Sequence, residues 1–69
     1  MPKSQQEIEG QVQDLYQIVC TSAAPLNLLG MKTKSLVDTE NWSKEDAERV
    51  YSGVLELLIK SHGWKRFRP

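Results

Sequence analysis

Cys20 and His62 are the only cysteine and the only histidine in the chain, and a thiol with an imidazole is the minimum for nucleophilic catalysis. Both fall near the end of a long helical pattern. A reactive thiolate is favoured at a helix start, where the dipole is positive, and no third group stands ready to orient the base. Cys20 therefore reads as a small residue at the core's edge, and His62 as a cap for final carbonyls. Two such side chains cannot complete a zinc site, and the acids around position 40 lack the spacing and central glycine of a calcium loop. No serine sits in a nucleophile elbow and no glycine-rich stretch could cradle a phosphate. An enzyme, a metal, a cofactor and a small-molecule substrate are all unexpected.

The better chemical lead is basic and aromatic. Trp64, Lys65, Arg66, Phe67 and Arg68 follow one another, with Lys60 a turn earlier. Cations can track phosphates while a ring stacks on an unpaired base, so this mixture suits single-stranded nucleic acid. Only three or four phosphate contacts are available, which makes such binding weak at physiological salt. Recognition of duplex DNA by a helix–turn–helix is disfavoured, because Glu45, Asp46, Glu48 and Glu56 would face the phosphates. The acids from Asp38 to Glu48 offer a dock for a basic partner, although helix-dipole complementarity accounts for acids at a helix start without one.

Sixty-nine residues allow one domain, and chains this short bury only about 60% of the surface exposed on unfolding. Nine Lys/Arg balance nine Asp/Glu, so net charge points to neither nucleic acid nor membrane. One cysteine excludes an internal disulfide and suits a reducing compartment. No apolar run approaches the roughly 18 residues of a membrane span, and the first residues lack a signal-peptide pattern. A cytoplasmic location is the expectation.

These residues must be positioned by helices. Ser4 and Glu7 form a capping-box pattern, and Ile8, Val12, Leu15 and Val19 recur on one face, predicting a helix from Ser4 to about Thr21 or Ser22. Residues 43–62 predict a second, stronger one. Ser43 and Asp46 give its start signal, Trp42 and Ala47 a hydrophobic staple, and Gly63 a stop on which Trp64 folds back. Ala47, Val50, Tyr51, Val54, Leu55 and Leu58 share one face, and Leu57 and Ile59 broaden its apolar arc to about 200°, against about 100° or somewhat more for an ordinary surface helix. Glu45 with Arg49 and Glu56 with Lys60 are spaced for ion pairs on its polar side. Between the two, Pro25 opens a short turn over 25–29 that Gly30 stops, and Thr33 caps another over 34–38. Leu26, Leu28, Leu29 and Met31 are too apolar for a solvated linker and must cover something. The wide face of the 43–62 helix asks for neighbours on two sides: the first helix on one, and on the other either this middle segment or another chain.

The expected fold is all-α: two long antiparallel helices joined by a connector with one or two short helical turns. This small bundle is ordered over about residues 4–64, with flexible ends at 1–3 and 66–69, and is completed by dimerisation. The expected function is a small non-enzymatic interaction or regulatory module. It would bind another protein, or a second copy, through the wide apolar face of the 43–62 helix at Val50, Val54, Leu57 and Ile59. The alternative is a weak nucleic-acid-binding accessory protein using Lys60, Trp64, Lys65, Arg66, Phe67 and Arg68. On the first reading, Leu57→Glu shifts a dimer toward monomer in light scattering. A monomer whose mass does not change with concentration removes the self-association.

Overall fold

Ser4 caps the first helix with both arms of its box closed: the Glu7 amide donates to Ser4 Oγ (3.2 Å) and the Ser4 amide donates to Glu7 Oε1 (3.3 Å). In the computed structural model, which describes residues 3–62, this helix is α1, Gln5–Val19. It ends sooner than the periodicity suggested, where the Ser22 amide turns back to the Val19 carbonyl at 3.0 Å. Lys3, just before the cap, makes long-range contacts. Its backbone amide donates to Asp46 Oδ2 at 2.9 Å, and its ammonium lies 4.9 Å from the Trp42 ring centroid.

The middle of the chain corrects the expectation. Residues 25–40 form one helix, α2 (Pro25–Glu40), rather than a connector with short turns. Pro25 stands at its start as predicted, but Gly30 and Thr33 lie in mid-helix. A mid-helix glycine costs about 1 kcal/mol relative to alanine. Each apolar side chain fully buried gains about 1.5–3 kcal/mol, and continuity through Gly30 buries Leu29 and Leu36 on the same side. The stripe outweighs the glycine. Thr33, which resembled a cap, is buried and donates its hydroxyl to the carbonyls of Leu29 (3.0 Å) and Gly30 (3.1 Å). Met31 covers nothing: it is 68% exposed. α2 ends at Asn41, whose φ of 62° is left-handed, and the Trp42 amide turns back to the Leu36 carbonyl at 3.0 Å. Asparagine tolerates this conformation better than other side-chain-bearing residues.

The third helix, α3, is Lys44–His62. Its start is as predicted: the Asp46 amide donates to Ser43 Oγ at 3.2 Å, and both staple residues, Trp42 and Ala47, are buried. Gly63 and Trp64, assigned to its stop, lie outside the described residues. Lys3 meets Asp46 near one end of the bundle, and Val12 meets Gly53 further along. Both helices therefore advance in the same direction: α1 and α3 are parallel, and α2 runs back between them. An extra full-length helix reverses the chain twice, so the two long helices are not antiparallel.

The core draws on all three helices. Ile8, Leu15 and Val19 of α1 and Leu29 and Leu36 of α2 pack with Val50, Val54 and Leu58 of α3. α1 and α2, which also pack on each other, thus cover the broad apolar arc of α3 together. Among the described residues no helix is long and apolar enough to cross a membrane, and every buried side-chain nitrogen or oxygen has a hydrogen-bond partner.

Gly30 has open space where a Cβ would project. Gly30→Ala should stabilise the protein by about 0.5–1 kcal/mol in urea denaturation, since α2 runs through it. A loss of stability would mean that the helix breaks at this residue.

Candidate interaction groove between the first and third helices

Gly53 sets how closely α1 and α3 approach. A Cβ built there would lie 2.8 Å from Val12 Cγ2 and 3.3 Å from Val12 Cγ1. Valine in a helix is nearly confined to one rotamer, and both of its methyl groups crowd the position, so rotation gives no escape. The close approach is confined to the seam. To the outer side of it lies an open groove of about 830 Å³ lined, among the described residues, by α1 and α3.

The groove has an apolar floor and a charged rim. Ile8 and Val12 of α1, with Gly53 and the half-buried Leu57 of α3, make the floor. Glu9 on α1 and Glu45, Glu48 and Glu56 on α3 line the rim, where among the described residues the one basic side chain is that of Arg49. None of these glutamates forms an ion pair within 4.0 Å among the described residues, whose single salt bridge joins Lys3 and Glu7. The expected pairs Glu45–Arg49 and Glu56–Lys60 are therefore not closed. Gln5 Nε2 donates to Glu9 Oε2 at 3.1 Å, which orients that carboxylate without neutralising it.

The predicted interface residues separate. Val50 and Val54 are 0% exposed, so they belong to the core and offer no surface to a partner while the fold is intact. The reason is geometric: they lie mid-arc on α3, where α1 and α2 both reach. Leu57 and Ile59 are half-buried, and only Leu57 lines the groove. Two residues apart on a helix is about 200° of rotation, so these two do not share a face. Lys60 is exposed. Trp64, Lys65, Arg66, Phe67 and Arg68 lie outside the described residues.

Cys20 packs half-buried against the core, its Sγ 3.5 Å from the Gln17 carbonyl oxygen. Among the described residues no group of three or more His, Cys, Asp or Glu could hold a metal ion. Asp46, read from sequence only as a helix-start acid, is buried and receives the Lys3 amide, a long-range partner that spacing does not reveal. The groove itself was missed for the same reason. Its two walls lie about forty positions apart in sequence, and the parallel pairing that joins them depends on α2. Spacing did not single out Gly53 either, because Gly10 and Gly30 also lie within helices and have open space where a Cβ would project.

Compared with known proteins, the chain matches no family model, no curated protein and no solved structure.

Gly53→Ala should destabilise the fold by about 1–3 kcal/mol, the range for overpacking a close contact. Val12→Ala should recover part of that loss when combined with it. Urea denaturation of the two single variants and the double variant measures the coupling, and additive losses would place Gly53 away from the seam.

Proposed function

We propose that this chain is a small non-enzymatic interaction module whose α1/α3 groove receives a basic segment of another protein, anchored by an apolar side chain. The observation that carries this reading is the composition of the groove. Four glutamates and one arginine surround a floor of Ile8, Val12 and Leu57. Helix-dipole complementarity favours acids in the first turn of α3, which covers Glu45 and Asp46. It gives no reason for Glu48, Glu56 or, on another helix, Glu9 to line the same opening. A lysine- or arginine-rich segment would gain from these charges, and a leucine or aromatic ring beside Leu57 would lose water on both surfaces.

Self-association through Leu57 is compatible with this reading, since Leu57 borders the groove, whereas Val50 and Val54 cannot contribute. The glutamates of the groove would repel nucleic acid. That alternative rests instead on Lys60 and on residues 64–68.

A lysine/arginine-rich peptide with one tryptophan serves as the probe. In an NMR titration it should shift the amides of Gln13, Gly53 and Glu56 together. Rim charges contribute about 0.2–1 kcal/mol each, so Glu48→Lys with Glu56→Lys should weaken binding roughly tenfold. Raising the salt concentration should weaken it as well. Shifts confined to another face refute the assignment. Binding of a single-stranded oligonucleotide, lost on deletion of residues 65–69, with no response to the peptide, favours the nucleic-acid reading.

A further inference from the structure

The strongest match in charge and chemistry to the groove is carried by the chain itself. Residues 63–69 contain Lys65, Arg66 and Arg68 interleaved with Trp64 and Phe67. The groove presents four glutamates against Arg49, over an apolar floor that ends at Leu57. The segment's three cations equal the groove's excess of negative charge, and its two rings supply the apolar anchor that the floor lacks. We propose that the α1/α3 groove is the docking site for the chain's own residues 63–69. The segment there acts as a built-in competitor of any basic partner. The competitor role rests on the interaction-module reading, whereas the docking itself does not.

Reach permits this within one chain. Leu57 precedes His62 by five residues, about 8 Å along a helix axis. Seven extended residues span about 23–25 Å, enough to reverse direction and pass Glu56 and Gly53 toward Glu48. Glu45, about 25 Å back along the axis, lies beyond that reach, so the cations meet Glu56, Glu48 and Glu9. The chain direction is also right. α1 and α3 are parallel, so the segment leaves from the end of the groove that Leu57 and Gln13 line, rather than from the far side of the bundle. Gly63 supplies the residue type that tolerates a left-handed reversal. A short tether also raises the local concentration of the segment to the millimolar range, which favours its own groove over that of a second copy at ordinary protein concentrations. Occupancy reduces the apparent affinity for an outside ligand by the fraction of time the groove is open.

The test uses the full chain with Cys20→Ser and a nitroxide attached at Pro69→Cys. Amides of Glu9, Gln13 and Gly53 should be broadened severalfold more than those of α2, which does not line the groove. Broadening should fall at high salt and in Glu48→Lys/Glu56→Lys. It should return when those changes are combined with Lys65→Glu/Arg66→Glu. Equal broadening of α2 and the groove overturns the docking, because a tethered but unbound segment samples all sides. So does broadening that ignores salt and charge. Broadening that appears only between a labelled copy and an unlabelled, isotope-enriched copy overturns the intrachain assignment in favour of a second copy.

A second measurement separates this inference from the module reading. Lys65→Glu/Arg66→Glu/Arg68→Glu should bind the basic peptide about three- to tenfold more tightly than the parent chain. Equal affinity in both overturns the competitor while leaving the module reading intact. Asymmetric broadening in a chain that binds the peptide in neither form leaves the docking standing and overturns both the competitor role and the partner reading.

Discussion

The third helix carries an apolar arc too wide for one neighbour, and the rest of the architecture follows from covering it. Val50, Val54 and Leu58 are wholly buried, and they receive side chains from α1 and α2 together. One further helix packed against α3 would have left half of that arc in water. At about 25 cal/mol per Å² of apolar surface, an exposed strip of this kind is a substantial fraction of what so small a domain has in reserve. The sixteen residues of α2 are the means of avoiding it. Their buried side, at Leu29, Thr33 and Leu36, is narrow, and the helix serves mainly to close the arc of α3.

A single intervening helix has a second consequence. It returns the chain to its starting end, so that α3 runs beside α1 in the same direction, and Lys3 can reach Asp46 and Trp42. That contact ties the start of the chain to the junction of α2 and α3. It consists of a charge-assisted hydrogen bond and a cation over a ring, each stronger where water is partly excluded. Asp46 is buried there yet partnered, which is the condition under which a buried carboxylate is tolerable. The parallel pairing also places the outer faces of α1 and α3 side by side, and the groove exists because of it.

Local signals were legible in the sequence, and long-range ones were not. Ser4 with Glu7 and Ser43 with Asp46 named two helix starts because capping is complete within four residues. The buried side of α1 followed from its spacing alone. The middle was misread because Gly30 and Thr33 are each, taken singly, signals of interruption. Only the run of Leu26, Leu29, Thr33 and Leu36 across them argues for continuity, and it includes a polar residue. Asn41, which does end that helix, was not recognised, since asparagine is a weaker marker of the left-handed conformation than glycine. The breadth of the α3 arc was read correctly as a demand for two neighbours. The leucine-rich middle was recognised as a candidate second neighbour. Read as short turns rather than as one helix over Pro25–Glu40, it looked too small to suffice, so a partner was invoked as well. Val50 and Val54 were assigned to an interface for that reason.

The acidic residues deserve separation by position rather than by count. Glu45 and Asp46 lie in the first turn of α3, where partial positive charge from free amides favours them, and Asp46 is further used by the Lys3 amide. The dipole effect fades within a turn, so it does not reach Glu48 and is absent at Glu56. Solubility alone would scatter such charges over the surface. Instead Glu48 and Glu56 stand on the side of α3 that faces Glu9 across an apolar trough. Like charges lining one opening repel each other, and in an isolated domain this arrangement weakly opposes the packing of α1 on α3. A cationic segment seated between them reverses the sign of that interaction. The same residues then hold the two helices together through a shared counter-charge. Occupancy of the groove would therefore be coupled to the stability of the seam at Gly53 and Val12, and a domain of this size has little stability to spare without it.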